Sequence, residues 1–555
     1  MKAFLKQHHR VLFYSSWLAI SLLQAFFTEL LDDEAYYWVY SRFLDWGYFD
    51  HPPMTALLIK AGFTFIENEL GVRLLFVLLS TATLLICELL LEKKNSALFY
   101  ALCYSMAVLQ IGGFLAVPDV AILFFTAVFF YCFKKFIQKE SLWYAVILGV
   151  VAGLMMYSKY HAVLIILFTL LASPRLLAKP KIYLAGIVAL ALFLPHLWWQ
   201  YDHNWMSFRY HLFESNNNRY KISYTTEYIL GQLLLAGPLA GVILFWATIR
   251  HKPGSVVEKA LKFTALGMII FFFFSSFRGR VEANWTSPAL IPLLVLSHSY
   301  LNEQTRCRKL LYRLVAPTLV LVITVRVLIA FNIAPVRAIS ERFHQYKNWP
   351  ADFRTRTESL PVIFNSSYQR ASKYWFYSGQ ATYSLNQYRS RRSNYNFWPI
   401  EEQLFGKEVY IADTDSAFAD KSFFVTPLGK LYYFKEDNFH SFARLMFVPE
   451  QESLSCRKGD QLNFSVTISL PIKYYEYLTS ATAGVYPVKI GVFTKEKWIK
   501  DIELPLPIRH FLQESKTVVT IDPQLSEGSY FLRFAVASDA GIYTHNSEKI
   551  PLQVN

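Results

Sequence analysis

Three consecutive carboxylates, Asp32-Asp33-Glu34, follow the first long apolar run of the chain and are its best candidates for acid–base chemistry. Like charges this close raise one another's pKa, and three of them just after a membrane helix are costly to desolvate. They belong to a segment reading Glu29-Leu30-Leu31-Asp32-Asp33-Glu34-Ala35-Tyr36-Tyr37-Trp38, which runs on to Gly47-Tyr48-Phe49-Asp50-His51-Pro52-Pro53. Its aromatic residues suit docking against a bilayer surface. Its prolines stiffen the second half, since proline fixes its own φ and restricts its predecessor. Taken alone, the acids fit a solvated loop as well as a catalytic one. His51 fits three roles: orienting a substrate, ligating a divalent cation beside carboxylates, or hydrogen-bonding within a rigid loop.

The elements that must hold these residues are membrane helices. The 555-residue chain is 54% hydrophobic and 17% charged, whereas about a quarter of residues are charged in ordinary soluble chains. The apolar residues crowd into the first 331 positions, in runs such as 72–91 and 311–331. Such runs match the roughly twenty residues an α-helix needs to cross a bilayer, and in lipid a spanning segment of this kind must be helical. About eleven spans are expected, near 11–27, 72–91, 97–116, 118–133, 142–157, 162–177, 182–200, 228–249, 260–277, 285–301 and 311–331. Ser158-Lys159-Tyr160-His161 reads either as the middle of one long helix or as a break between two. With a break, the N-terminus and the even-numbered connections collect most of the membrane region's basic residues, from Lys2, Lys6 and Arg10 to Arg306, Arg308, Lys309 and Arg313. The positive-inside rule then puts the N-terminus in the cytoplasm and the C-terminal part outside.

The first apolar run follows a basic stretch, but no small-residue cleavage site comes after it, so it reads as a retained helix rather than a signal peptide. The net charge of +14 is then partly topological. No compact basic face with interleaved aromatics suggests nucleic acid. Cys87, Cys103, Cys132, Cys307 and Cys456 have no metal-like spacing and do not suggest a disulfide framework. After position 331 the composition changes. Residues 335–438 alternate short apolar strands (361–364, 408–412, 430–434) with a helix at 367–377, which reads as a small α/β domain. Residues 439–555 carry alternating segments at 461–470, 486–493 and 530–536, the pattern of a β-sandwich. The expected organisation is a transmembrane catalytic domain over 1–334 with two extracytoplasmic domains behind it.

The run Asp33-Glu34-Ala35-Tyr36-Tyr37-Trp38, with Trp46-Gly47-Tyr48-Phe49-Asp50-His51-Pro52-Pro53, resembles the bacterial branch of the dolichyl-phosphate-mannose protein mannosyltransferase-like family. That family in turn resembles the aminoarabinose transferases that modify lipid A. Further matches follow in order: Val117-Pro118-Asp119, Gly153-Leu154 with Ser158-Lys159-Tyr160, Trp205-Met206-Ser207-Phe208-Arg209, and Gly279-Arg280-Val281-Glu282-Ala283-Asn284-Trp285. The resemblance covers most of residues 30–400 and leaves out the terminal β-sandwich.

The resemblance implies a polytopic α-helical membrane protein with a GT-C glycosyltransferase fold and a polyprenyl-phosphate-linked sugar donor. It puts the general base on Asp33, with Glu34 and Asp32 beside it, because an acceptor hydroxyl is a poor nucleophile until its proton is being removed. A lipid-phosphate leaving group also needs cations. Lys159, Arg209, Arg278 and Arg280 are the candidates, with Asp50, His51, Tyr160 and Glu282 as further substrate-binding positions. Each also has a plain reading: Lys159 as a snorkelling lysine, the arginines as loop charges. Asp119, following Pro118, fits either support of the site or an N-cap. No cofactor is required, though carboxylates and phosphate together suit a divalent metal ion. The acceptor implied is a protein, a lipid A-like glycolipid or a glycan. A transporter or flippase is the alternative, and would favour repeats and charges near the bilayer midplane. A non-catalytic membrane assembly protein, binding through its outer domains, is a third reading.

Overall fold

A computed structural model describes residues 2–214, 220–333, 336–495, 497–514 and 516–555. The chain divides into two compact units, Met1–His344 and Gln345–Asn555.

The first unit is helical. Among the described residues, five helices are long and apolar enough to cross a bilayer: Gln7–Phe27, Glu69–Leu90, Pro118–Gln138, Pro180–Asp202 and Thr305–Ala330. Two further apolar helix pairs are sharply bent: Ser96–Ser105 with Ala107–Phe114 by 78°, and Ile222–Ala236 with Gly241–Arg250 by 88°. The expected spans 97–116 and 228–249 are therefore broken rather than straight. The cause of the second break is local. Gly237 has φ +151°, which only glycine adopts readily, and Pro238 after it disfavours a helical predecessor. The two breaks also meet, since a Cβ on Gly237 would lie 2.5 Å from the Ser105 carbonyl oxygen.

The segment read as a loop between the first two spans is largely helical, with Asp32–Arg42 and Met54–Phe65 joined by a turn-rich stretch. Residues 32–42 contain no glycine or proline, and acids in a first turn complement the positive end of the helix dipole. The chain does break at residue 159. Helix Leu142–Ser158 ends there, Lys159 is extended (φ −162°, ψ 140°), and Ala162–Ala172 begins a new helix. The expected span 285–301 opens as a 3₁₀ turn, Ala283–Ala289, before helix Leu290–Glu303. Proline at 288, inside the turn, cannot donate to a regular ladder.

The second unit is sheet-rich. Strand Val362–Asn365 pairs in parallel with Tyr383–Leu385 on one side and Lys407–Asp413 on the other. Gly429–Phe439 and the edge strand Ser422–Thr426 add antiparallel. Helices Trp349–Arg356 and Tyr368–Ser378 pack on this sheet through Phe353, Tyr374 and Phe364. A five-stranded and a three-stranded sheet follow, with Phe447 and Phe464 of one facing Phe534 of the other. The five cysteines are unpaired.

Glu401, fully buried, ties these parts together. It accepts hydrogen bonds from the Ser441 and Tyr474 hydroxyls and from the Ala443 N–H. Burial pushes its carboxyl above the ordinary range, against those donors. The folded unit thus holds a proton that the unfolded chain has already released. The linked stability is complete below the ordinary carboxyl pKa and declines as pH rises through the raised value. Chemical denaturation of the chain across acidic pH should show that decline for the second unit, and Glu401→Gln should flatten it. In the first unit, Gly237→Leu should lower stability by about 1–3 kcal/mol or more by overpacking against Ser105, read as an earlier thermal transition in detergent.

Candidate active site

The three acids occupy one helical turn, and about 100° of rotation per residue sends them in different directions. Asp32 and Asp33 are exposed, whereas Glu34 is fully buried. Glu34 Oε1 accepts from Arg73 Nε at 2.7 Å and from the Ala116 N–H at 2.8 Å. Its Oε2 accepts from Arg73 Nη2 at 2.5 Å and from the Leu31 N–H at 2.9 Å. The Leu31 bond satisfies the backbone N–H just before helix Asp32–Arg42, closing its N-terminus. Arg73 spends its remaining donors on the carbonyls of Ala25, Thr28 and Glu29, at 3.0, 2.6 and 2.8 Å. All five guanidinium N–H groups are thereby matched, and the group lies over the Phe114 ring.

Glu34, expected beside Asp33 as a catalytic residue, is engaged in this buried ion pair. Both of its oxygens are taken up by Arg73 and by backbone N–H groups. It joins the first-turn acids to Ala116, two residues before Pro118-Asp119. Arg73 was missed from the sequence. Its signal was there: a lone arginine inside an apolar run of spanning length must have a partner.

Asp119 is the second residue of helix Pro118–Gln138 and makes no cap bond there, the N-cap being Val117. Its carboxylate receives Lys159 Nζ at 2.8 Å, Ser287 Oγ at 2.7 Å and Asn284 Nδ2 at 2.9 Å. Lys159 is 5% exposed and so does not snorkel. The break after Ser158 carries its side chain to Asp119, and one of its three N–H donors is used there. His161 lies within electrostatic reach of Lys159, Asp119, His211 and His51. Asp119, Asn284 and Ser287 also line a cavity of about 220 Å³ whose other walls are mainly apolar, among them Leu84, Leu109, Val120 and Leu235.

Ser207, His211 and His196 hold the 46–50 segment by its carbonyls. Ser207 Oγ donates to the Tyr48 carbonyl at 2.7 Å, the His211 ring bonds the Asp50 carbonyl at 2.7 Å, and the His196 ring bonds the Trp46 carbonyl at 2.7 Å. Tyr160 lies 3.1 Å from His196 Nε2 and accepts from Gln200. Gly47 is required by proximity, since a Cβ there would lie 2.4 Å from the Trp199 ring. Asp50 is buried, and the His51 ring sits beside Tyr37 and His211. Arg209 and Arg278 are exposed. Arg280 pairs with Glu282 at 3.2 Å and more distantly with Glu227, all three well exposed. The described contacts therefore join Lys159 and Asp119, and pair Arg280 with carboxylates. Among the described residues, no group of three or more His, Cys, Asp or Glu is placed to hold a metal ion.

Fold and site together define a polytopic membrane protein of the GT-C fold, similar to the PMT and ArnT proteins. Residues 50–199 match the family described as dolichyl-phosphate-mannose-protein mannosyltransferase. Over 309 residues the chain is 25% identical to lipid A galacturonosyltransferase RgtD of Rhizobium johnstonii, covering 52% of this chain and 63% of that relative's length. ArnT from Cupriavidus metallidurans shares the fold. Its structure bound to undecaprenyl phosphate aligns with TM-score 0.56 at 12% identity, over 77% of this chain and 97% of the other. Its apo structure gives 0.57 at 13% identity, over 78% and 98%.

Removing one partner of a fully buried ion pair leaves the other charge uncompensated, at a cost of about 3–5 kcal/mol. Glu34→Gln and Arg73→Leu should each lower the melting temperature markedly. The double variant Glu34→Leu/Arg73→Leu should lose much less than the sum of the two. Equal and additive losses in detergent melts would mean that the two side chains act independently.

Proposed function

We propose that this chain is a glycosyltransferase that moves a sugar from a polyprenyl-phosphate donor to an extracytoplasmic acceptor, with Asp33 as general base. The observation that carries the reading is an apolar cavity lined at one place by Asp119, Asn284 and Ser287, with Lys159 bound to that same Asp119. That combination suits an amphiphile with an anionic head. Lysine retains donors for phosphate oxygens after meeting Asp119. Positive charge at the departing phosphate stabilises the charge that grows there as the sugar leaves.

Asp33 stands at the N-terminus of a helix that Glu34 and Arg73 pin in place, and it is exposed, as a base that meets an incoming hydroxyl must be. In the step proposed, Asp33 takes the hydroxyl proton as the acceptor oxygen bonds to the anomeric carbon. The bond from that carbon to the phosphate oxygen breaks, its electron pair leaves with the polyprenyl phosphate, and the configuration inverts. His51, Asp50 and Tyr160 would line the sugar's side of the site, and Arg209, Arg278 and Arg280 would meet phosphate or acceptor from the surface. The named activity of the galacturonosyltransferase relative favours a lipid A-like glycolipid as acceptor. Lysines and arginines on the opposite side support an inner-membrane protein with its N-terminus in the cytoplasm and residues 335–438 and 439–555 outside.

Asp33→Asn should reduce transfer by roughly 10²–10⁴-fold while lowering the melting temperature far less than Glu34→Gln does, since an exposed first-turn acid contributes at most about 1 kcal/mol through the helix dipole. The measurement is mass spectrometry of glycolipids from cells carrying only the variant, beside transfer assays in their membranes. Undiminished glycosylation by that variant would remove Asp33 from the mechanism.

A further inference from the structure

Gly112 lines the apolar cavity and follows helix Ala107–Ile111 in the first bent pair. Its backbone, φ −75° and ψ −25°, is right-handed helical, which every residue adopts, so conformation does not call for glycine. Packing does not call for it either, because a Cβ at position 112 would meet no heavy atom within 4 Å. The next residue makes the contrast. A Cβ on Gly113 would lie 2.3 Å from Ser80 Oγ, so close approach to helix Glu69–Leu90 accounts for that glycine. Gly112 has more backbone freedom to lose than alanine would and leaves space on the cavity wall that no heavy atom of the described residues fills.

We infer that Gly112 is a specificity-determining position, keeping open the part of the cavity that takes the methyl-branched end of a prenyl chain. The inference rests on the donor reading above and deepens it by naming what the wall selects. A prenyl chain carries a methyl branch on every isoprene unit and is wider than a straight alkyl chain. Apolar walls such as Leu84, Leu109, Val120, Leu123 and Leu235 suit either chain. The missing side chain at 112 supplies width at one place, which a branched chain uses and a straight one leaves vacant. The polar end of the cavity is where Asp119, Asn284 and Ser287 line it, and Lys159, bound to Asp119, is the cation nearest that end.

The test titrates the purified full chain in detergent with undecaprenyl phosphate and, separately, with hexadecyl phosphate, following binding by native mass spectrometry. Wild-type protein should favour the prenyl phosphate. Gly112→Val should weaken undecaprenyl phosphate by at least about tenfold, as overfilling a packed cavity does, while hexadecyl phosphate stays within about twofold. Gly112→Ala adds only a Cβ in open space and serves the same comparison should the valine variant melt early. Leu123→Ala, which returns volume to the same cavity, should restore prenyl binding in the Gly112→Val background. Unchanged prenyl binding in both Gly112 variants, or equal loss of both lipids, overturns the assignment of Gly112. Failure of the wild-type protein to bind either phosphate overturns the donor reading itself, and the inference with it.

Discussion

One buried ion pair, Glu34 with Arg73, organises the candidate site. An arginine within a helix that crosses lipid is tolerated only when its charge and all its donors are met. Arg73 meets that demand with a carboxylate and three carbonyls at the end of the first helix. The same contacts fix where the first helix stops, where helix Asp32–Arg42 starts, and where Ala116 sits. The remaining polar elements follow from those positions. Asp33 points outward because Glu34 points inward, and Asp119 lies close behind Ala116. The pair therefore bears on the candidate site through geometry, fixing the positions of the groups around it.

The second constraint is that backbone polar groups inside a bilayer must be satisfied, so irregular segments survive there only where protein covers them or a cavity is lined. The first unit contains two sharply bent helix pairs, an extended residue at Lys159 and a 3₁₀ turn at Ala283–Ala289. Several of these irregularities meet at one place. The break at Lys159 delivers an ammonium group, the 3₁₀ turn delivers Asn284 and Ser287, and the bent pair ending at Phe114 supplies the glycine-lined wall. Departures from regular helix are thus concentrated where polar side chains must leave the helix pattern and converge. In the second unit, polar groups also serve as joints: Asp501 accepts from Tyr388, Arg389, Trp498 and Lys489.

By itself the sequence determined the class of protein. Hydrophobic runs, the composition change after residue 331 and strand alternation in the last part are properties of local sequence, and membrane and water select on them directly. The strands near 361–364, 408–412 and 430–434 and the helix near 367–377 were legible for that reason. So was the break at Lys159, where a charge interrupts an apolar run. Within the acidic cluster, resemblance could single out Asp33, but three adjacent carboxylates look alike in a linear text.

Tertiary structure decided what each of those carboxylates faces. Glu34 is taken up in an ion pair because Arg73, thirty-nine positions away, arrives from the next membrane helix. Asp119 became a partner of Lys159 rather than a helix cap because the break after Ser158 turned that lysine inward. The bends at Met106 and Gly237 were hidden because a span's hydropathy records its composition and not its direction. Long-range pairing and the shape of empty space are properties of packed elements. The residues that depend on them, Arg73, Ser287 and Gly112 among them, carry no local mark beyond being a charge, a hydroxyl or a glycine in an apolar stretch.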